Sequence, residues 1–194
     1  LIQRMSYTKR ILVTGGAGFI GSHTVVALHE AGCRPVVVDD LRNSRPEVLQ
    51  GLERILGEPI EFWPVDCGDD HAMKPVFAAP VDGVIHFAAD KAVGESVSQP
   101  EKYFDNNIGG TARLMTQLRE HGVEQLVFSS SCTVYGEAEQ LPVSEETPIQ
   151  PATSPYGYTK QACESLLRSA HHAASGSLGV AILRYFNPIG AHPS

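Results

Sequence analysis

A tyrosine and a lysine that could transfer a proton together lie four positions apart in the segment Tyr156-Gly157-Tyr158-Thr159-Lys160. At the start of a predicted helix, this spacing places Tyr156 and Lys160 on one face. A phenol with its usual pKa of about 10 is a poor base at neutral pH, and a neighbouring cation favours the phenolate. The pair therefore predicts a tyrosine general base, although an isolated pair of this kind is more often an ordinary surface feature.

A run of hydroxyl groups, Ser129-Ser130-Ser131, ends a predicted strand upstream of this pair. Open α/β sheets bind their ligands at the carboxyl ends of the strands, so a serine hydroxyl there can share a substrate oxygen with Tyr156. A serine run by itself is typical of a simple turn. Serine, tyrosine and lysine together are more specific than any one of them and predict a site for proton transfer.

A glycine-rich segment connects the first predicted strand, 10–14, to a predicted helix and contains Gly15, Gly18 and Gly21. In this context the first glycine permits a tight turn and the second lets backbone N–H groups approach a pyrophosphate. The third lets the helix pack closely against the sheet. The next strand ends at Asp39, where a carboxylate can accept hydrogen bonds from ribose hydroxyls. Strand, glycines, helix, strand and acid in this order predict a dinucleotide site, whereas glycines alone indicate only a turn.

The charges beside this site favour one of the two common dinucleotides. Asp39 and Asp40 are adjacent carboxylates, and both would repel a 2′-phosphate. The sequence therefore predicts NAD as the cofactor in preference to NADP. Arg42 keeps the alternative open, because a guanidinium group can accommodate that phosphate.

The elements that must position these residues alternate between short apolar runs and longer amphipathic ones, which predicts an α/β fold. We expect a doubly wound parallel, Rossmann-like sheet with helices on both faces. The predicted strands are 10–14, 35–39, 60–66, 84–88, 124–129 and 180–186. The predicted helices are 18–31, 46–56, 69–79, 100–121 and 155–175, with irregular loops at 91–99 and 136–154. One domain, 9–194, follows a tail, 1–8, in which residues 1–4 are interpreted as non-native because Met5-Ser6 resembles a natural start.

Composition excludes several classes of protein. The chain has 194 residues, of which 42% are hydrophobic and 19% charged, a balance typical of a globular domain. A net charge of −7 without a Lys/Arg cluster argues against nucleic acid or an anionic membrane as a partner. No apolar run is long enough to span a bilayer. Four scattered cysteines predict reduced thiols and a cytoplasmic location. The eight histidines suggest no metal site, and His86, in an apolar strand, is expected to be a hydrogen-bonded core residue.

Several longer strings carry a resemblance to a known family. They are GFIGSHT at 18–24, KAVGES at 91–96, YFDNN at 103–107, SSSCTVYG at 129–136 and RYFNP at 184–188. With the glycine triplet and the tyrosine–lysine pair, they resemble the extended short-chain dehydrogenase/reductases, and in particular the branch that epimerises UDP-glucose at C4. The resemblance runs from about residue 9 to the end of the chain.

The resemblance implies a role for each matching position. The catalytic three are Ser131, Tyr156 and Lys160. Residues implied to bind NAD are Gly15, Gly18, Phe19, Ile20, Asp39, Asn43, Ser44, Asp66, Cys67, Phe87, Ala88, Ala89, Lys91, Asn106, Tyr156, Lys160 and Phe186. Residues implied to bind the UDP-sugar are Lys91, Ser131, Tyr156 and Asn187. At the YFDNN string the unaligned sequence leaves Asn107 as the alternative to Asn106.

The resemblance also implies a mechanism. As phenolate, Tyr156 takes the proton of the sugar 4′-hydroxyl while C4′ passes a hydride to NAD+. Lys160 lowers the pKa of Tyr156, and Ser131 binds the same oxygen. The 4-keto sugar turns over and takes the hydride back on its other face. NAD therefore stays bound through a reaction without net oxidation.

Two positions depart from the family pattern. Asp90 stands where an apolar residue is usual, and it is expected either to pair with Lys91 or to weaken the hold of Lys91 on phosphate. Cys132 replaces a usual alanine, and this change is expected to be silent. The sugar-nucleotide 4,6-dehydratases need an acidic pair where this chain has Cys132-Thr133, which argues against dehydration.

Two further expectations and two rival hypotheses follow from the resemblance. The family continues into a smaller C-terminal domain that closes over the sugar nucleotide and is absent from this chain. The family also commonly forms homodimers through the helices matched by 100–121 and 155–175. One rival function is action on a different nucleotide sugar. The other is a non-catalytic NAD-binding module, against which the intact Ser131, Tyr156 and Lys160 argue.

Overall fold

The core of the molecule is one six-stranded sheet, seen in a computed structural model that describes residues 7–193. The strands are β1 (Arg10–Thr14), β2 (Arg34–Val38), β3 (Glu61–Trp63), β4 (Gly83–His86), β5 (Gln125–Ser131) and β6 (Gly179–Tyr185). All neighbouring pairs are parallel, in the order β3-β2-β1-β4-β5-β6. The doubly wound parallel sheet predicted from the sequence is thereby confirmed. Most of the tail predicted at 1–8, including the segment 1–4 and Met5, lies outside the described residues.

Seven α-helices within the described part of the chain accompany the sheet. They are α1 (Phe19–Glu30), α2 (Pro46–Leu56), α3 (Asp70–Met73), α4 (Val93–Ser98), α5 (Pro100–Tyr103), α6 (Gly110–Glu120) and α7 (Pro155–Ala173). Two short 3₁₀ turns (Val76–Ala78 and Cys132–Tyr135) and a π-helical segment (Phe104–Gly109) complete the set. None of the helices in this part is both long and apolar enough to cross a bilayer.

Burial on both faces of the sheet explains why the central strands are continuous apolar runs. Val36, Val37 and Val38 of β2 are all buried, and alternate residues point to opposite faces. Val37 packs in one cluster with Val25 of α1 and Leu52 of α2. Val36 and Val38 pack in a second cluster that includes residues of α6 and α7. Helices therefore cover both faces, as predicted.

Near the site, one sequence prediction was wrong and another was confirmed with a local irregularity. The segment 91–99, predicted as a loop, contains α4, whose Ser96 is buried and accepts a hydrogen bond from the Tyr156 backbone N–H at 3.2 Å. The predicted helix 100–121 is continuous from Pro100 to Glu120, with the π-helical segment between α5 and α6. The π-helical segment contains Asn107, whose side chain bonds outside its own helix, to Asp90 and Thr159. A local sequence pattern does not contain these long-range partners.

Prolines account for two further differences in boundaries. The predicted helix 69–79 is the short α3 followed by a 3₁₀ turn, because Pro75 lacks an N–H and cannot continue the helical hydrogen bonding. The predicted strand 60–66 is only Glu61–Trp63, and Pro64 follows it directly. These changes leave the positions of the site residues unaffected.

The long segment 136–154 contains no helix or strand, as predicted, and it leads to the start of α7. Ser154 caps this helix by accepting a hydrogen bond from Gly157 N–H at 3.1 Å, and Pro155 occupies the first turn. The cap fixes where α7 begins and therefore places Tyr156 in its first turn. Lys160 follows one turn later on the same face.

Candidate active site

A cavity of about 580 Å³ opens at the carboxyl ends of the strands. The sequence predictions converge there, because every predicted site residue lines its wall. They are Gly15, Gly18, Phe19, Ile20, Asp39, Asn43, Ser44, Asp66, Cys67, Phe87, Ala88, Ala89, Lys91, Asn106, Ser131, Tyr156, Lys160, Phe186 and Asn187. This is where open α/β sheets bind ligands. The individual roles of these residues remain predictions.

The glycine loop has a geometry that only glycine permits. Gly15 has a φ of +68°, and a Cβ atom built there would lie 2.7 Å from the backbone nitrogen of Ala88. A Cβ atom on Gly21 would lie 2.2 Å from the carbonyl oxygen of Gly15. The first glycine therefore makes the turn and the third lets α1 pack against it, as the spacing predicted.

The start of α1 is suited to an anion. Gly18 is its N-cap residue and brings no side chain to bond the free N–H groups of the first turn. These N–H groups and the positive end of the helix dipole favour a phosphate group. Phe19 and Ile20, in the same turn, line the cavity. The open cradle and its donors fit the pyrophosphate of a dinucleotide.

Asp39 directly follows the carboxyl end of β2, and hydrogen bonds fix both of its carboxylate oxygens. Its Oδ2 accepts a hydrogen bond from Ala17 N–H at 3.0 Å. Its Oδ1 accepts from Leu41 N–H at 2.9 Å and from the Ser44 hydroxyl at 2.8 Å. The carboxylate thus joins the glycine loop to the segment after β2 and is fixed before any ligand arrives.

Arg42 is engaged by neighbouring carboxylates instead of facing the cavity as a free cation. It bonds Asp40, Asp66 Oδ2 at 2.7 Å and Asn106 Oδ1 at 2.9 Å. Burial opposes its charge, but Asp40 and Asp66 more than offset this and raise the pKa of Arg42. Both acids would compete with a 2′-phosphate for this guanidinium, so the geometry favours NAD over NADP.

Ser131 at the end of β5 meets Tyr156 and Lys160 of α7, and all three are at least nine-tenths buried. Ser131 Oγ accepts a hydrogen bond from Thr133 N–H at 3.3 Å, which leaves its own proton free for donation. Burial raises the pKa of Tyr156, and a hydrogen bond with Ser131 acts in the opposite direction. Serine is therefore the group in this structure that favours the phenolate.

The ammonium group of Lys160 lies between a strand carbonyl and the Tyr156 ring. Its Nζ donates to the Ser129 carbonyl at 2.8 Å and lies 6.0 Å from the centre of the Tyr156 ring. Burial lowers the pKa of Lys160 to about 8, and Lys160 is absent from the groups that shift the pKa of Tyr156. The role expected of Lys160 in lowering the pKa of Tyr156 therefore stays a prediction.

A buried ionic cluster lies next to the catalytic residues and was not predicted from the sequence. Glu164 of α7 accepts hydrogen bonds from Ser130 of β5 at 2.6 Å and from Arg184 of β6 at 2.9 and 2.7 Å. These contacts join the ends of the two strands to the helix that carries Tyr156 and Lys160. The partners are far apart in the sequence, so no local pattern could have identified them.

His86 is a satisfied core residue, as predicted. Its Nδ1 lies 2.6 Å from Thr14 Oγ1 and its Nε2 lies 3.2 Å from Thr111 Oγ1. Burial lowers the pKa of His86 to about 3, so the ring is neutral. Within residues 7–193, the acids, cysteines and histidines form no cluster that could hold a metal ion.

Of the two expectations for Asp90, the ion pair with Lys91 is not present among the described residues, and an effect on the hold of Lys91 on phosphate stays a prediction. The Asp90 side chain is buried, whereas Lys91 is exposed. The structure also separates the two neighbouring asparagines. Asn106 lines the cavity, while Asn107 is buried against the backbone of Asp90.

Comparison with known proteins places this site in context. Residues 11–194 match the NAD dependent epimerase/dehydratase family. The chain is 50% identical to UDP-glucose 4-epimerases of Dictyostelium discoideum over 186 residues and of Bacillus subtilis over 185 residues. It covers 54% of each relative, while 95% of the chain itself is matched. The chain thus spans about half the length of these curated relatives.

Solved structures agree with this match. The UDP-glucose 4-epimerase of Bifidobacterium longum, in complex with NAD+ and UDP, has a TM-score of 0.91 at 46% identity. The match covers 94% of this chain and 55% of that one. The enzyme of Stenotrophomonas maltophila, with bound NAD and formylated UDP-arabinopyranose, has a TM-score of 0.90 at 45% identity over 95% of this chain and 55% of that one. From its fold, its cavity and these matches, the chain belongs to the NAD dependent epimerase/dehydratase family.

Proposed function

We propose that residues 9–194 form the NAD-binding, catalytic domain of an enzyme that interconverts UDP-glucose and UDP-galactose. The observation that carries this proposal is the meeting of Ser131, Tyr156 and Lys160 in the cavity that also contains the glycine loop and Asp39. The relatives named UDP-glucose 4-epimerase support the choice of reaction.

The residues of the chain supply the acid–base part of the reaction. Tyr156 accepts the proton of the sugar 4′-hydroxyl, and the Ser131 hydroxyl donates to the same oxygen. When bound, NAD+ supplies the acceptor for the C4′ hydride, which it later returns, and a positive ring that favours the Tyr156 phenolate. The 4-keto sugar formed in this way is reduced on its other face, and Tyr156 gives the proton back.

Lys160 contributes through its position. Its ammonium group fixes the carbonyl at the end of β5, two residues before Ser131. This contact holds the serine strand against the tyrosine helix. Because the pKa of Lys160 is about 8, the ammonium group is charged at neutral pH and can also donate to a ligand hydroxyl.

Binding of the sugar nucleotide involves Lys91 and Asn187 at the open side of the cavity. Both are exposed, as is Phe186. Exposure at this side fits a site that a further segment of protein covers, such as the C-terminal domain expected from the family. The identity of the sugar then depends on residues of that further segment.

A homodimer is the proposed assembly. Phe104 of the π-helical segment and Tyr158 of α7 stack at a ring separation of 5.4 Å, although both are exposed. Val97, at the end of α4, is also exposed. Apolar side chains on and beside the two helices that were expected to pair are consistent with an interface there.

Two measurements test the proposed function. Isothermal titration of the chain with NAD+ tests the cofactor site. A chimera that continues residue 194 with the remaining sequence of the Bacillus subtilis relative tests turnover of UDP-galactose to UDP-glucose. Binding of NAD+ together with turnover by the chimera is the expected result. A chain that binds no NAD+, or a chimera that binds NAD+ but interconverts neither sugar, would contradict the proposal.

A further inference from the structure

Asp90 is a buried acid whose backbone is fixed from both sides. Its N–H donates to Asn107 Oδ1 at 2.9 Å, and its carbonyl accepts from Asn107 Nδ2 at 2.9 Å. Asn107 Nδ2 also donates to Thr159 of α7 at 3.1 Å. Asn107 therefore fixes the backbone of Asp90 in the cavity wall and links it to α7, the helix that carries Tyr156 and Lys160.

Only one of the two carboxyl oxygens of Asp90 has a partner. Oδ1 accepts a hydrogen bond from Asn43 Nδ2 at 3.2 Å. Oδ2 is buried and has no hydrogen-bond partner among the described residues. The side chain is only 2% exposed, so water cannot compensate freely. A buried acceptor without a partner is costly, and such groups in proteins call for an explanation.

The bond from Asn43 to Asp90 also determines what Asn43 offers to the cavity. With its NH2 group turned to Asp90, the Asn43 carbonyl oxygen remains as an acceptor. Ser44, the next residue, donates to Asp39 Oδ1. The same short segment therefore links Asp90 to the acid at the end of β2.

We propose that Asp90 is a recognition residue for the dinucleotide, whose Oδ2 accepts a hydrogen bond from a ligand hydroxyl while Oδ1 orients Asn43 as a second acceptor. This inference rests on the proposed NAD site. Asp39, Asn43 and Asp90 together form a set of acceptors. Such a set selects ribose hydroxyl donors and repels an added phosphate.

Substitution of Asp90 separates recognition from structural support. Asp90→Asn keeps the shape and one acceptor for Asn43 but removes the charge and replaces the free oxygen with an NH2 group. Asp90→Ala removes both contacts. Glu101→Gln, an exposed position outside the cavity, serves as the matched control. The measurements are the Kd for NAD+ by isothermal titration, the Kd for UDP and the Tm without ligand.

We expect the Kd for NAD+ to rise about tenfold in Asp90→Ala, the equivalent of about 1.4 kcal/mol. A rise of at least threefold is expected in Asp90→Asn, with no change in Glu101→Gln or in the Kd for UDP. The ligand-free Tm of Asp90→Asn should equal or exceed that of the wild type, because a buried carboxylate without a full set of partners is removed.

Three results would overturn the inference. One is an unchanged Kd for NAD+ in both Asp90 variants. Another is a loss of UDP affinity without loss of NAD+ affinity, which would assign the oxygen to the other ligand. The third is a ligand-free Tm that falls in Asp90→Asn in proportion to the loss of binding, which would make the role structural. Absence of NAD+ binding by the wild type would instead refute the proposed function.

Discussion

Glu164 allows a stability prediction to be worked out from the structure. The side chain is 2% exposed and accepts two hydrogen bonds from Arg184, one from Ser130 and a longer one from Arg168. Glu164→Gln keeps the shape and one acceptor oxygen but leaves the Arg184 guanidinium, itself only 12% exposed, without its counter-charge. Removing one partner of a buried pair costs about 3–5 kcal/mol. We expect about 3 kcal/mol, because the amide oxygen still accepts one bond.

The loss should depend on pH. Burial opposes the charge of Glu164, but hydrogen bonds from Arg184 and Ser130 more than offset this and lower its pKa. A lowered pKa stabilises the fold above the unfolded value of about 4.3, and this stabilisation disappears as the pH falls through the folded value. The difference between wild type and Glu164→Gln should therefore be constant above about pH 5 and shrink below about pH 4.

Denaturant unfolding followed by circular dichroism measures the free energy, and calorimetry should show a fall in Tm of about 6–12 °C. Arg168→Met provides a matched control because Arg168 contacts the same carboxylate, at 3.5 Å, while 59% exposed. An exposed pair of this kind contributes less than about 0.5 kcal/mol. A loss below about 1 kcal/mol in Glu164→Gln, or an equal loss in Arg168→Met, would refute the reasoning.

Three other substitutions test NAD+ binding, the role of Lys160 and assembly separately. Gly21→Ala places a Cβ atom against the Gly15 carbonyl, so titration should show at least a tenfold loss of NAD+ affinity. Gly51→Ala is the control, because Gly51 lies in open space on α2, and it should leave the NAD+ affinity unchanged. Lys160→Met removes a buried amine whose pKa is about 8, together with its hydrogen bond to the Ser129 carbonyl, so turnover by the chimera should be lost. Wild-type stability should increase between pH 8 and 10, where the unfolded chain binds the additional proton, and the methionine variant should lack this increase. Tyr158→Glu places a charge on the exposed aromatic stack, so the sedimentation coefficient should change from that of a dimer to that of a monomer. A wild type and a variant that both sediment as monomers would contradict the proposed interface.

The fold was predictable because its signals are local. Valine runs such as 36–38 indicate strands that are buried on both faces, and the glycine spacing after β1 indicates the turn that the φ of Gly15 confirms. The same holds for Tyr156 and Lys160, whose positions on one face follow from helix geometry. Placement of the predicted site residues around one cavity follows from the parallel topology, since all strands end on the same side.

The parts that could not be predicted depend on contacts distant in the sequence. The π-helical segment contains Asn107, whose polar partners are Asp90 and Thr159, and periodicity contains no information on such pairs. The sequence left open whether Arg42 binds the 2′-phosphate of NADP, because its bonds to Asp40 and Asp66 exist only in the folded chain. The donation of Lys160 to a strand carbonyl was likewise not visible from the spacing of the motif.

Turnover of UDP-galactose by the chimera, with Tyr156 or with phenylalanine in its place, tests the central claim most directly. The phenol is the only group of Tyr156 that can exchange a proton, and Tyr156→Phe retains the ring that packs at the start of α7. We predict that NAD+ binding persists while turnover falls by at least about 100-fold, the scale of general acid–base catalysis. Turnover within tenfold of the wild type would contradict the proposed mechanism.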